Sequence, residues 1–90
     1  MNKYELKIID FTKSLIEDKS IIINLDTELI GASSLLDSMK LVELCLLLED
    51  YANELGFEFD WTSESAMSKS RSIFKSLKTL IDEFQYQLGI

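Results

Sequence analysis

The chain has 90 residues, of which 47% are hydrophobic, and a formal net charge of −7 at pH 7. This length allows one domain with a single modest core, and the apolar content argues against disorder. The charge is concentrated between positions 26 and 64, which hold ten acids and one base, Lys40. Such a local negative charge disfavours direct binding of nucleic acid and favours encounter with basic protein surfaces.

Neither a membrane span nor a secretory signal is predicted from the sequence. The richest apolar run, 41–48, is interrupted by Glu43, which excludes a spanning helix. The first eleven residues are charged and amphipathic, and they lack the apolar block of a secretory signal. The single cysteine, Cys45, cannot form an internal disulfide, as is usual in a reducing compartment. We therefore expect a cytoplasmic protein.

The first part of the chain is predicted to form a helix and then a long loop. In residues 2–17 apolar side chains recur at spacings of three and four, which is typical of an amphipathic helix. They are Tyr4, Ile8, Phe11 and Leu15. Residues 18–37 include a β-branched triplet, Ile21–Ile23, but no second strand that could pair with it. With turn-forming residues around Gly31, this segment is predicted to be an ordered loop whose apolar side chains pack on helices, and loops of this length are usually functional.

The second helix is predicted over residues 38–55. Either Asp37 or Ser38 begins it as a cap, and Gly56 stands where a left-handed residue commonly ends a helix. On a helical projection the core-facing side chains form one apolar stripe. Its members are Leu41, Leu44, Leu48, Tyr51, Ala52 and Leu55, with Cys45 at the margin.

Three further apolar residues of this helix, Met39, Val42 and Leu46, fall on its acidic side. An isolated helix should be polar there, so they indicate a docking face whose apolar part is buried on binding, while the acids steer the partner. The alternative is that the long loop or other helices cover Met39 and Val42. The acids on or beside this face are Glu43, Glu49, Asp50 and Glu54.

After the second helix, the pattern predicts an extended connector, a short helix and a final helix. Thr62 or Ser63 caps the short helix, and Ser72 or Ser76 caps the final helix. The apolar residues of the final helix run from Ile73 to Leu88. We therefore predict a single all-α domain over residues 1–90. It is a small bundle of three main helices plus a short helix, with a long first loop.

Ser38 lies where the loop turns into the most apolar helix, and its residue type allows three interpretations. It could cap the helix by accepting a hydrogen bond from a backbone N–H group. It could be a nucleophile, but the chain has no histidine, and a serine without a general base is a poor nucleophile. It could be an attachment site, where another enzyme supplies the base. A phosphodiester at this position would lie at a helix N-terminus, which favours an anion.

The residues around Ser38 resemble the core of the acyl carrier proteins. The likeness lies in Leu35-Leu36-Asp37-Ser38-Met39, an Asp-Ser dipeptide that follows a loop ending in Leu-Leu and precedes an apolar helix with glutamates in its exposed rows. The likeness covers nearly the whole chain, in the order first helix, long loop, second helix, connector, short helix and final helix. It implies the acyl-carrier fold, as a stand-alone domain.

The resemblance implies that Ser38 receives 4′-phosphopantetheine from coenzyme A, transferred by a separate Mg²⁺-dependent phosphopantetheinyl transferase, with Asp37 assisting at the site. The terminal thiol would carry acyl groups as thioesters and present them at high local concentration. The protein would be a monomer without catalytic or metal sites of its own. Its partners would be acyl-activating, condensing or acyltransferase enzymes with basic docking surfaces. The contacts implied by position are Asp37, Met39, Val42, Glu43, Leu46, Glu49 and Asp50.

Two departures from the family pattern favour a specialised pathway over housekeeping fatty-acid synthesis. Lys40 stands where carriers of primary fatty-acid synthesis usually have an acid, and residues 61–74 look longer and more basic than the usual stretch before the last helix. A surface polysaccharide, lipid or secondary-metabolite pathway fits better. Two alternatives remain open. In the first alternative, the protein is a carrier whose cargo is an amino acid or a peptide. In the second, it is an unmodified acidic adaptor in which Ser38 only caps the helix.

Overall fold

The described part of the chain is built from helices. The computed structural model describes residues 2–17, 20–29 and 36–89, without the side chains of Ser38, Ser70 and Arg71. These residues form five helices and no strand, which confirms the all-α prediction. The helices are α1 (Lys3–Leu15), α2 (Ser38–Leu55), α3 (Glu64–Ser68), α4 (Ser70–Ile73) and α5 (Leu77–Leu88). None of these five is long and apolar enough to cross a membrane.

The bounds of α2 agree with the prediction at both ends. Gly56 ends the helix with a left-handed backbone, φ 91°, a conformation in which other residues are strained. Its N–H group donates to the carbonyl of Asn53 (3.2 Å), and the N–H group of Phe57 donates to the carbonyl of Ala52 (3.0 Å). These bonds satisfy carbonyl groups that have no partner within the helix.

The last third of the chain differs from the prediction, because it contains two short helices instead of one. Ile73 ends α4, and the final helix begins only at Leu77. Between them, Ser76 adopts an extended backbone and caps α5 by accepting from the N–H group of Thr79 at 3.2 Å. The Thr79 hydroxyl lies 2.8 Å from the carbonyl of Ile73, so the same side chain ties the end of α4 to the start of α5.

The described part of the long loop packs on the helices, as predicted, except for Ile22, which is 81% exposed. The N–H groups of Leu77 and Lys78, in the first turn of α5, donate to the carbonyls of Thr27 and Leu25, each at 2.9 Å. The loop thereby supplies acceptors that the helix start lacks. Three of its apolar side chains are buried: Ile23, Leu29 and Leu36. Gly31 and Leu35 lie outside the described residues, so the prediction is not tested for them.

The centre of the core is an aromatic cluster around Phe84, which has no exposed surface. Tyr51 of α2 stacks on it, with ring centroids 5.5 Å apart and ring planes 7° from parallel. Phe57 and Phe59 of the connector pack against the same ring at 5.2 and 5.4 Å. Phe11 of α1 meets Tyr51 edge-on at 5.8 Å. One side chain therefore joins α2, α5 and the connector, and Tyr51 extends the cluster to α1.

Phe84 is predicted to contribute far more to stability than the other aromatic residue of α5, Tyr86. Phe84→Ala should lower the free energy of unfolding by about 3–5 kcal/mol because it leaves a cavity in the core. Tyr86→Ala should change it by less than about 0.5 kcal/mol, since Tyr86 is 78% exposed. Urea unfolding followed by circular dichroism measures both, and equal losses would contradict the core described here.

Candidate functional site

The cap of α2 is the side chain of Asp37. Its backbone is extended (φ −79°, ψ 179°), and its carboxylate accepts from the N–H group of Lys40 at 2.8 Å. Its carbonyl accepts the first intrahelical bond, from the N–H group of Leu41 at 2.9 Å. The sequence left the choice between Asp37 and Ser38 open. The structure makes Ser38 the first residue of the helix, so its interpretation as the cap is wrong.

The two residues before Ser38 fix the backbone at the start of α2. Leu36 is buried in the core, whereas Asp37 is exposed and Met39 is 76% exposed. The Ser38 side chain lies outside the described residues, but its backbone belongs to the first turn of α2. The N–H groups of a first turn have no carbonyl partner within the helix, and the helix dipole adds positive potential there. This end of α2 therefore suits a negatively charged group.

The exposed side of α2 combines apolar and acidic side chains. Met39, Val42 and Leu46 are 76%, 44% and 49% exposed. Their predicted exposure is confirmed, and the alternative that loop or helices cover Met39 and Val42 is wrong. Glu43 and Asp50 are exposed and Glu49 is partly exposed. We call this surface the acidic α2 face; its residues are Met39, Val42, Glu43, Leu46, Glu49 and Asp50. That these residues contact partners stays a prediction.

An acidic groove of about 600 Å³ continues this face toward the connector. Its α2 wall and its connector wall both carry acids. The lining residues are Glu49, Asp50, Asn53, Glu58, Phe59, Asp60 and Thr62. Within the described residues, no group of three or more acidic, histidine or cysteine side chains is arranged to hold a metal ion. The groove therefore adds negative potential next to the α2 face.

The connector wall of this groove was not predicted as part of a site. Glu58 and Asp60 alternate with the inward Phe57 and Phe59, and this alternation was the only signal in the sequence. Asp60 is held by hydrogen bonds from the Ser63 hydroxyl (2.6 Å) and the Ser63 N–H group (3.0 Å), which lower the pKa of its carboxyl. Gln87 of α5 holds the connector in place, because its side-chain oxygen accepts from the Asp60 N–H group at 2.6 Å.

Cys45 belongs to the core and not to the site. The residue is 1% exposed, and burial, followed by the nearby charge of Glu49, raises the pKa of its thiol to about 12. A thiol that stays protonated and enclosed is neither a nucleophile nor a metal ligand at neutral pH. The sequence placed Cys45 at the margin of the apolar stripe, and the structure shows that its side chain is fully buried.

Comparisons of this chain with protein-family models, with curated proteins and with solved structures find no match. An interpretation of the site therefore depends on its residues and their geometry.

Asp37 and Ser38 are predicted to differ in their effect on stability. Asp37→Ala should lower the free energy of unfolding by about 0.5–2 kcal/mol, since it removes the bond to the Lys40 N–H group. Ser38→Ala should change it by less than about 0.5 kcal/mol. Urea unfolding of the two variants side by side tests this. A loss for Ser38→Ala as large as for Asp37→Ala would mean that the serine hydroxyl also supports the helix.

Cys45 is predicted to resist thiol reagents until the protein unfolds. At pH 8 an aromatic disulfide reagent should modify Asn53→Cys, which places a second thiol on an exposed position of α2, much faster than Cys45. Because the folded pKa is about 12 and the ordinary value is 9.0, the unfolded chain loses this proton first. The contribution of Cys45 to stability should therefore decline as the pH rises from 9 toward 12. Rapid labelling of Cys45 in the native protein would contradict its burial.

Proposed function

We propose that this protein is an acyl carrier protein in which Ser38 carries 4′-phosphopantetheine, whose thiol holds acyl groups as thioesters. The observation that carries the proposal is the position of Ser38 in Leu35-Leu36-Asp37-Ser38-Met39, as the first residue of α2 between the capping Asp37 and the exposed Met39. Because Asp37 caps the helix, a role as the cap does not explain why a serine stands at position 38. A role as the attachment point of a prosthetic group would explain it.

The start of α2 suits the phosphodiester that would link this group to Ser38. The first-turn N–H groups and the helix dipole favour an anion, and Asp37 accepts from one of these donors, the N–H group of Lys40. The charge of Asp37 opposes a second anion, so we assign its exposed carboxylate a further role toward the visiting transferase, by helping to hold a metal ion or a basic side chain. The bound group supplies a thiol on a flexible tether.

The acidic α2 face supports a carrier that visits several enzymes. A docked partner would remove the exposed apolar surface of Met39, Val42 and Leu46 from water, which favours binding. The surrounding carboxylates would attract and orient a basic surface of that partner. This face begins directly after Ser38, so an enzyme docked on it has the cargo beside its own active site. We propose that the partners are the transferase and acyl-activating, condensing or acyltransferase enzymes with basic docking surfaces.

In this proposal the protein offers one hydroxyl and performs no catalysis. The transfer joins the Ser38 oxygen to phosphorus, releases adenosine 3′,5′-bisphosphate from coenzyme A, and needs a base for the hydroxyl proton. The chain has no histidine, and the thiol of Cys45 is buried and protonated. We therefore assign the base to the transferase. The single free cysteine accords with a cytoplasmic carrier.

The cargo proposed for this carrier belongs to a specialised pathway. Lys40, in the first turn of α2, replaces the acid that carriers of fatty-acid synthesis usually have at this position. A partner that selects for that acid would dock less well on this chain, because a reversed charge is repelled where the acid is attracted. A surface polysaccharide, lipid or secondary-metabolite pathway is the proposed setting.

The proposal predicts that a transferase modifies the protein at Ser38 and nowhere else. The purified protein is incubated with coenzyme A, Mg²⁺ and a broad-specificity phosphopantetheinyl transferase, and its intact mass is measured. Wild type should gain one phosphopantetheine group, and Ser38→Ala should gain none. Ser65→Ala removes another serine from the first turn of a helix, α3, and should be modified like wild type.

Two results would contradict the proposal. A folded wild-type protein that gains no mass would favour the unmodified adaptor, in which the acidic α2 face binds a partner without any attached group. A mass gain that persists in Ser38→Ala would place the attachment at another residue. The intact mass of the protein isolated from its own cell would also distinguish an acyl cargo from an aminoacyl or peptidyl cargo.

A further inference from the structure

The side chain of Gln87 joins the last turn of α5 to the connector between α2 and α3. Its oxygen accepts from the Asp60 N–H group at 2.6 Å, and its nitrogen donates to the Asp60 carbonyl at 2.9 Å. The same nitrogen donates to the carboxylate of Glu83, one helical turn earlier, at 2.8 Å. These three bonds hold the amide in one orientation and tie both backbone groups of Asp60 to α5.

This attachment fixes a segment that has no regular secondary structure. Residues 58–60 belong to neither a helix nor a strand, so their backbone groups need partners from elsewhere in the fold. Gln87 supplies both partners for Asp60. The residue before it, Phe59, is buried and packs against Phe84 with ring centroids 5.4 Å apart. Two successive residues of the connector are therefore held, one by packing and one by hydrogen bonds.

The held segment presents negative charge to the acidic groove. Glu58 and Asp60 stand on either side of the inward Phe59 in the chain, and both are exposed. Both line the same groove as Glu49 and Asp50 of α2. Glu49 and Asp50 also belong to the acidic α2 face, so the connector acids extend the negative charge of that face.

We propose that Gln87 is a positioning residue for the docking of the transferase on the acidic α2 face. This inference rests on the proposed function. Gln87 is uncharged and lies on α5, so it acts through the connector, by holding Glu58 and Asp60 beside the face. The attraction between two charges falls as their distance grows. A connector released from α5 would spread these two charges over a larger volume, and they would attract a docked basic surface less strongly.

Gln85 provides a matched control on the same helix. Its side-chain oxygen accepts from the side-chain amide of Asn2 at 2.7 Å. Asn2 is the cap of α1, so this bond ties α5 to the start of the chain, whereas the Gln87 bonds tie α5 to the connector. An alanine at either position removes a hydrogen-bonded contact between α5 and a distant segment, and neither change alters the net charge.

The first experiment compares Gln87→Ala with Gln85→Ala in the assay with coenzyme A, Mg²⁺ and the broad-specificity phosphopantetheinyl transferase. We expect Gln87→Ala to raise KM for the protein about threefold at low salt with kcat unchanged, because docking is weakened and the chemical step is not. Gln85→Ala should leave both within about 1.5-fold. Added salt should reduce the difference between Gln87→Ala and wild type. Circular dichroism establishes that both variants are folded.

The second experiment is a double-mutant cycle that tests whether Gln87 acts through the connector acids. Glu58→Gln/Asp60→Asn removes both charges and keeps the shape of the side chains. In this background Gln87→Ala should leave KM unchanged, since no connector charge remains to be positioned. A rise in KM as large as in the wild-type background would mean that Gln87 acts by another route, and it would overturn the inference.

Hydrogen exchange tests the attachment itself, without any enzyme. The Asp60 amide should exchange faster in Gln87→Ala than in wild type, because it loses its acceptor and the connector opens more easily. It should exchange at the wild-type rate in Gln85→Ala. NMR measures both rates, and an unchanged rate in Gln87→Ala would overturn the inference.

The outcomes separate this inference from the proposed function. Wild type that is never modified at Ser38 overturns both. Wild type that is modified, with equal KM for the two glutamine variants, overturns the positioning role of Gln87 alone.

Discussion

The stacking of Tyr51 on Phe84 determines which side of α2 meets solvent. The two rings lie 5.5 Å apart and nearly parallel at the centre of the core. A helix turns by about 100° per residue, so when Tyr51 points toward Phe84, Met39, Val42 and Leu46 point away from it. Burying those three would rotate Tyr51 out of the core. The apolar patch on the acidic face is thus a consequence of the way the core is packed.

A second constraint acts where α2 begins. The helix needs an acceptor for its first N–H groups, and the chain supplies it from Asp37, one residue before Ser38. Leu36, buried in the core, fixes the backbone one residue earlier still. The anchor, the cap and the serine are therefore three separate residues. A hydroxyl that had to cap the helix would lose that function on esterification, whereas Asp37 keeps the helix start intact whether or not Ser38 is modified.

The sequence predicted what depends on local signals and missed what depends on tertiary contacts. The bounds of α2 followed from the cap residues and Gly56, and its buried stripe followed from apolar spacing. For α5 the sequence left Ser72 and Ser76 as possible caps, because the apolar period already begins at Ile73. The structure selects Ser76, and carbonyl groups of the distant loop accept from the first N–H groups of the helix. Likewise, the acids of the connector join the site only because Gln87 holds Asp60. Asp37 and Ser38 were equally good caps by composition, and only the geometry separates them.

The distribution of charge says more about recognition than the net charge does. A net charge of −7 speeds the approach of any basic surface, and at physiological salt its influence fades beyond about 8 Å. Within that distance, a partner enzyme of the proposed carrier would meet the carboxylates of the acidic α2 face beside the exposed side chains of Met39 and Val42. A surface complementary to this face must combine basic side chains with an apolar patch in a matching arrangement. If the proposed function holds, the exposed apolar side chains among the carboxylates would convert a general attraction into a selective one, without buried ion pairs that would have to be desolvated.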